Sequence, residues 1–204
     1  MQHRADSSRT SVRYPPEHKT ETRRRIVSAA ARQFRARGLE AVSVADVMAE
    51  AGLTHGGFYA HFASKDDLVA EALREGKGVG AGKLREAAQA APPGEALAAV
   101  VGTYLSRSHR ARRDTGCILA ALAPEASRDT PAARQALAER SQGLAEAVQS
   151  ALPPGMSSGY TARAITACMV GGLILARLED DPADGERVLA ACRDFILRAA
   201  QPNN

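Results

Sequence analysis

The chain contains no Trp, and aromatic residues make up only 4% of its 204 positions. Without large rings, its core must be filled by Leu, Val, Ile and the abundant Ala, which suits helices packed at short range. A composition rich in Ala, Leu, Arg and Glu favours helix almost throughout. Three cysteines, Cys117, Cys168 and Cys192, have neither zinc-ligand nor CxxC spacing, so no metal site is expected and a reducing compartment fits. No apolar run approaches the roughly 20 residues of a membrane span, and no apolar segment follows the basic N-terminus as in a secretory signal. The expectation is a cytoplasmic protein with no membrane partner. A Ser-centred nucleophile elbow, a Gly-rich phosphate loop after a strand and a metal-ligand cluster are all missing, so neither an enzyme nor a cofactor is expected.

Positive charge is present but unevenly spread. The formal net charge is +4. Residues 1–37 alone carry a balance of +7, leaving −3 for the rest. A basic N-terminal end of this kind attracts phosphate.

Residues 1–18, polar and interrupted by Pro15-Pro16, read as a flexible arm. A helix opening at Thr20 or Thr22 runs to Arg37, with Ile26, Ala29, Ala30 and Phe34 on one face and Gly38 as its C-terminal cap. Ser43 caps a second helix of about two turns that ends at Gly52, with Asp46 near its positive end. Thr54 is placed to cap a third, over about 55–61, and Ser64 with Asp67 repeats the capping pattern for a fourth. Two short helices joined by a Gly-containing turn form helix-turn-helix geometry, whose second helix can enter a DNA major groove. Gly76, Gly78, Gly80 and Gly82 then read as a hinge or a frayed helix end. Further helices are expected at 83–91, 95–112, 117–126, 131–152, 158–180 and 184–200, separated by Pro- and Gly-marked breaks. The fold class is all-α: an N-terminal three-helix unit over 19–64 and a larger helical domain over 65–204.

Phe34-Arg-Ala-Arg-Gly38 followed by SVADVMAEAGLTHGGFYAHFASKDDL resembles the TetR family of bacterial transcriptional regulators. The correspondence covers about Thr20 to Leu73, with Phe58-Tyr59, Phe62, Ser64-Lys65 and Leu68 in register. The GCILAALAPEASR segment is also similar to a Gly-Cys-x-Leu element of one branch of that family. The resemblance implies a homodimer with DNA-binding heads and a ligand-binding and dimerisation domain. It implies a repressor that leaves its double-stranded operator, an inverted repeat, when an unknown small-molecule inducer binds.

By that resemblance the DNA-binding residues are Ser43, Thr54, His55, Gly56, Gly57, Tyr59, His61 and Lys65. Tyr59 and His61 would donate to phosphates, and Lys65 would add a charged contact. Paired glycines remove side chains that could read bases, which leaves Thr54 and His55 as base readers and gives DNA shape more weight. Arg23, Arg24 and Arg25 are further phosphate candidates or simply a solvated face. Phe58 and Phe62 should be core. The last two long helices would form the dimer interface, as in the family. Position and residue type suggest Tyr104, His109, Cys117, Met169 and Arg177 for the ligand site. Cys117, at a helix start near Arg112 and Arg113, could alternatively act as an electrophile- or oxidant-sensing thiol.

Overall fold

A computed structural model describes residues 16–75, 78–156 and 159–201. Among these residues there are α-helices and one 3-10 helix, with no strand. Helix α1 (Pro16–Arg37), α2 (Val44–Glu50), the 3-10 helix (His55–Ala60) and α3 (Lys65–Arg74) come first. Then follow α4 (Ala81–Ala90), α5 (Ala96–Tyr104), α6 (Arg107–Ala111), α7 (Ile118–Ala126), α8 (Pro131–Gln149), α9 (Gly159–Leu178) and α10 (Pro182–Ala199).

Several boundaries differ from the sequence reading. Helix α1 begins at Pro16, in the first turn where a missing N–H costs nothing. It therefore takes in the last residues assigned to the arm, the rest of which lies outside the described residues. The expected 95–112 helix is two: Leu105 leaves helical geometry, and Ser106 caps α6 through the His109 N–H. The Gly-rich stretch does separate α3 from α4, although Gly82 lies within α4 and Gly76 is outside the described residues.

In the head, α1 lays Ile26, Ala30 and Phe34 against Val47, Met48, Phe58 and Phe62, all buried. Helix α3 packs Leu68, Val69, Ala72 and Leu73 into the same continuous core. In the larger domain α8 lies against α3, α4, α7 and α9, and α10 covers α9. Gly172 makes that last contact possible, because a Cβ there would stand 2.6 Å from Cys192 Sγ. Contrary to the sequence reading, one described helix is long and apolar enough to cross a membrane: α9, with mean hydropathy 1.4 over Thr161–Leu178. Its buried Ala162, Ile165, Met169, Leu173 and Ala176 account for much of that character as packing inside the bundle.

Arginines lock α6 to α9. Arg177 donates from Nη2 to the His109 and Arg112 carbonyls, both at 3.0 Å. In return Arg110 donates to Ala176 O at 2.6 Å and Glu179 O at 2.7 Å, and Arg113 to Arg177 O at 3.1 Å. Cationic donors at helix C-termini satisfy orphan carbonyls and complement the negative end of the dipole.

His109 sits beneath this clamp, fully buried. The Cys117 N–H donates to His109 Nε2 at 2.9 Å, so Nδ1 carries the proton and donates to Tyr104 O at 2.6 Å. Gly116 leaves room for this arrangement, since a Cβ would meet Arg112 O at 2.3 Å. Burial, with Arg177 and Arg112 nearby, lowers the His109 pKa to about 4. The unfolded imidazole titrates near 6.5, so this contribution to stability is complete above that pH and is lost as pH falls towards 4. Between pH 7 and pH 5 the loss should be about 2 kcal/mol. Urea unfolding at the two pH values should show that drop in the native chain and a flatter dependence in His109→Gln.

Candidate nucleic-acid interface

The turn between α2 and the 3-10 helix follows from Gly52, whose φ is +69°. With Ala51 as C-cap, Gly52 N–H donates to Ala49 O at 3.0 Å and Leu53 N–H to Met48 O at 2.8 Å. This is a Schellman closure, with the glycine in the left-handed conformation it tolerates. Upstream, Ser43 and Asp46 form a reciprocal capping box. Ser64 caps α3 through the Asp67 N–H at 3.1 Å. Thr54 occupies the N-cap position of the 3-10 helix, but its side chain makes no capping bond. The third helix is therefore a tight 3-10 segment rather than an α-helix, a form suited to short pieces.

One face of the segment is exposed: Thr54, His55, Gly56 and Tyr59, with Gly57 half-buried. Tyr59 is 69% exposed and meets Phe58 edge-on, with ring centroids 5.2 Å apart. On the opposite face Phe58 stacks on Phe62 at 5.5 Å, and both are core as expected. A Cβ added at Gly56 would touch nothing within 4 Å, and one at Gly57 would make only ordinary contact with Met48 and Thr54. Neither glycine is demanded by the protein's own packing.

The other candidates divide. Ser43 is exposed while serving as a cap. His61 is half-buried; its Nδ1 is buried without a hydrogen-bond partner, and burial followed by Lys19, Arg23 and His18 lowers its pKa. A neutral ring, with one N–H to donate, results. Lys65 is also half-buried, and its Nζ donates to Leu39 O at 2.8 Å. This ammonium braces the head before it reaches outward. Arg23 pairs with Glu71, donates to the His61 carbonyl and lies over the Phe62 ring at 4.1 Å. Arg24 pairs with Glu21 at 2.7 Å, and Arg25 holds Ala51 O at 2.5 Å. Of these three, Arg23 and Arg25 are structural ties and Arg24 lies in a solvated pair.

None of the five residues suggested for the ligand site lines the groove between α7, α8 and α9. Tyr104, His109, Cys117 and Met169 are buried in the core, and Arg177 caps α6. Tyr104 meets His109 edge-on at 4.7 Å, its hydroxyl buried without a hydrogen-bond partner. The groove itself, of about 540 Å³, is lined by Leu119, Ala123, Ala145, Arg163, Ala167 and Val170 among others. Sequence reasoning also missed Glu125 on α7, which accepts the Leu39 N–H at 2.7 Å across 86 positions of chain. Nothing in local pattern signals so distant a partner.

A capped helix, a Schellman turn and an exposed short helix on a helical body define a helix-turn-helix protein. Residues 26–72 match the bacterial regulatory proteins of the tetR family, and residues 93–192 match the tetracyclin repressor-like C-terminal domain. The chain belongs to the TetR family. An uncharacterized HTH-type transcriptional regulator, YfiR of Bacillus subtilis, is 28% identical over 54% of this chain and 52% of its own length. The chain thus spans about half the length of that curated relative. A TetR transcriptional regulator of Chloroflexus aurantiacus is 25% identical, covering 89% of this chain and 97% of its own, with a TM-score of 0.70. The multidrug binding protein EbrR, solved with proflavin, is 26% identical over 87% of this chain and 98% of its own, with a TM-score of 0.56.

The open space at Gly56 generates a test with opposite signs for two readouts. Gly56→Ala should stabilise the head by up to about 1 kcal/mol through helix propensity. If the bare backbone approaches DNA, the same methyl should weaken DNA binding several-fold. Thermal unfolding and fluorescence anisotropy on one preparation separate the two. Higher stability with undiminished affinity would rule out close approach at this residue.

Proposed function

We propose that this chain is a sequence-specific DNA-binding transcriptional regulator: a dimeric, cytoplasmic repressor released from its operator by a small molecule. The observation carrying this reading is the exposed Thr54–Tyr59 face, held rigidly by the Gly52 turn and the Phe58–Phe62 core beneath it. Ser43, Thr54, His55, Gly56, Gly57, Tyr59 and His61 form the DNA surface, while Lys65 acts chiefly by bracing it. Thr54 and His55 address base edges, and Tyr59 and His61 address phosphate oxygens.

Dimerisation uses the outer face of α9 and α10. Leu178, Leu175 and Phe195 are 73%, 56% and 62% exposed, which is costly for large apolar side chains without a covering partner. A two-fold axis there presents the two heads to an inverted repeat.

Release follows from α7. Leu119 and Ala123 of this helix line the groove, and Glu125, two residues beyond Ala123, holds the Leu39 amide of the head. A ligand that shifts α7 therefore moves the α1–α2 junction. It releases DNA only by binding the two head positions with different affinity. The small-molecule part of the reading is supported by likeness to EbrR, whose solved complex holds proflavin. The alternative through Cys117 gains nothing from the geometry, since that residue is 3% exposed behind Tyr104 and His109.

Footprinting on the DNA flanking the chain's own gene, at physiological salt with excess competitor, should reveal a protected inverted repeat. Tyr59→Ala should lose at least tenfold in affinity without unfolding; protection lacking sequence preference would sink the reading. Leu178→Glu with Phe195→Glu should yield a monomer by light scattering, and a persistent dimer would move the interface elsewhere. Glu125→Ala should speed amide exchange at Leu39 and loosen the α1–α2 junction. Unchanged exchange there would remove Glu125 from the coupling path.

A further inference from the structure

We infer that the groove between α7, α8 and α9 binds an amphipathic organic anion: an apolar body ending in a carboxylate or sulfonate that faces Arg163. The inference rests on the regulator reading for its biological purpose, but the binding itself stands on the groove alone.

The floor is apolar and largely closed to water, with Leu119 at 6% and Ala145 at 9% exposure. Ala123, Ala167 and Val170 form apolar walls. Covering such surface is favourable for any apolar body that fits, and about 540 Å³ suits a compact organic molecule. The polar groups set the charge. Thr166 already donates its hydroxyl to Ala162 O at 2.8 Å, Gln142 gives one of its two amide N–H groups to Glu146 at 3.1 Å, and Ser141 adds a neutral hydroxyl. Arg163 differs, because its guanidinium makes no hydrogen bond or ion pair among the described residues and it is the one charged side chain lining the groove. It offers planar, paired donors to a carboxylate or sulfonate. No lining carboxylate offers a cation a partner, so a cationic aromatic of similar size would meet repulsion.

The probe is 8-anilinonaphthalene-1-sulfonate, a fluorescent amphipathic anion, titrated into the full chain at physiological salt and competed with decanoate. The expected result is saturable binding of one dye per subunit, displaced by decanoate and weakened at least tenfold in Arg163→Glu. Ala167→Trp, which fills the mouth of the groove from an exposed position, should abolish it. Proflavin, as the cationic counterpart, should bind weakly to the native chain and more tightly to Arg163→Glu. The proposal is overturned by dye binding that Arg163→Glu leaves unchanged, by failure to saturate, or by proflavin binding as tightly as the anion. Footprinting on the same preparations keeps the two readings apart. Intact operator protection with no saturable dye site ends the anion proposal alone, and a charge-selective dye site without operator protection ends the regulator reading alone.

Discussion

The backbone of Leu39 ties together three parts of this molecule that lie far apart in the chain. Gly38, at φ +87°, closes α1 through its N–H to Phe34 O and turns the chain into Leu39. The Leu39 N–H is then taken by Glu125 at 2.7 Å and its carbonyl by Lys65 at 2.8 Å. Both bonds have one ionised partner, the stronger class of hydrogen bond. The backbone of one residue, through two successive peptide groups, thus joins the α1–α2 junction, the first turn of α3 and the end of α7. A side chain at Gly38 would bring its Cβ to 3.0 Å from the Glu125 carboxylate, in a backbone conformation that already disfavours it. In the proposed function, the orientation of the 3-10 helix relative to the larger domain would be transmitted through this junction.

A second set of polar contacts makes the far end of the larger domain stiff. Arg110, Arg113 and Arg177 exchange bonds between the ends of α6 and α9, and neutral His109 bridges Tyr104 to the start of α7. Buried networks of this kind hold one arrangement because every alternative strands a donor or acceptor in a low-dielectric interior. By contrast, the groove is walled mainly by small apolar side chains with few directional bonds. Helix α7 therefore has an anchored start at Cys117, a soft flank at Leu119 and Ala123, and a charged hook at Glu125. Displacement at the flank would pivot it about the anchored end and be felt at the hook.

Much of this was legible in the sequence, and the limits have physical causes. The capping signals at Ser43 and Ser64, Gly38 and Gly52 as helix stops, and the burial of Phe58 and Phe62 are encoded within a turn or two of chain, where local rules act. The 3-10 form of the recognition segment was less legible, because two glycines remove the propensity that separates one helix type from another. The break at Leu105 carries no Pro or Gly to mark it. Lys65 read as an outward charge because its real partner is a backbone carbonyl 26 residues away. Arg23 and Arg25 likewise read as a solvated or phosphate-facing surface, yet they hold Glu71 and Ala51 O. The residues proposed for the DNA surface could be named because the resemblance supplied their register. The individual side chains lining the groove could not be named, since they depend on how three helices separated by tens of residues lie against one another.

The charge pattern gains a different meaning once its partners are known. Part of the +7 of residues 1–37 is matched: among the described residues, Arg23, Arg32 and Arg35 face Glu71, Glu50 and Glu75 from later in the chain. Exposed pairs such as Arg32–Glu50 add little stability, but they fix where guanidinium groups lie and reduce the number available to phosphate. Salt-dependent affinity scales with the phosphates neutralised, so a head with so much positive charge internally matched should show a shallower salt dependence than its composition suggests. In the proposed function its affinity would then come from close backbone approach at Gly56 and Gly57, hydrogen bonds from Tyr59 and His61, and the fit of two heads to a fixed spacing. On that proposal the head depends on geometry more than on charge, and geometry is what a change at the Leu39 junction would alter.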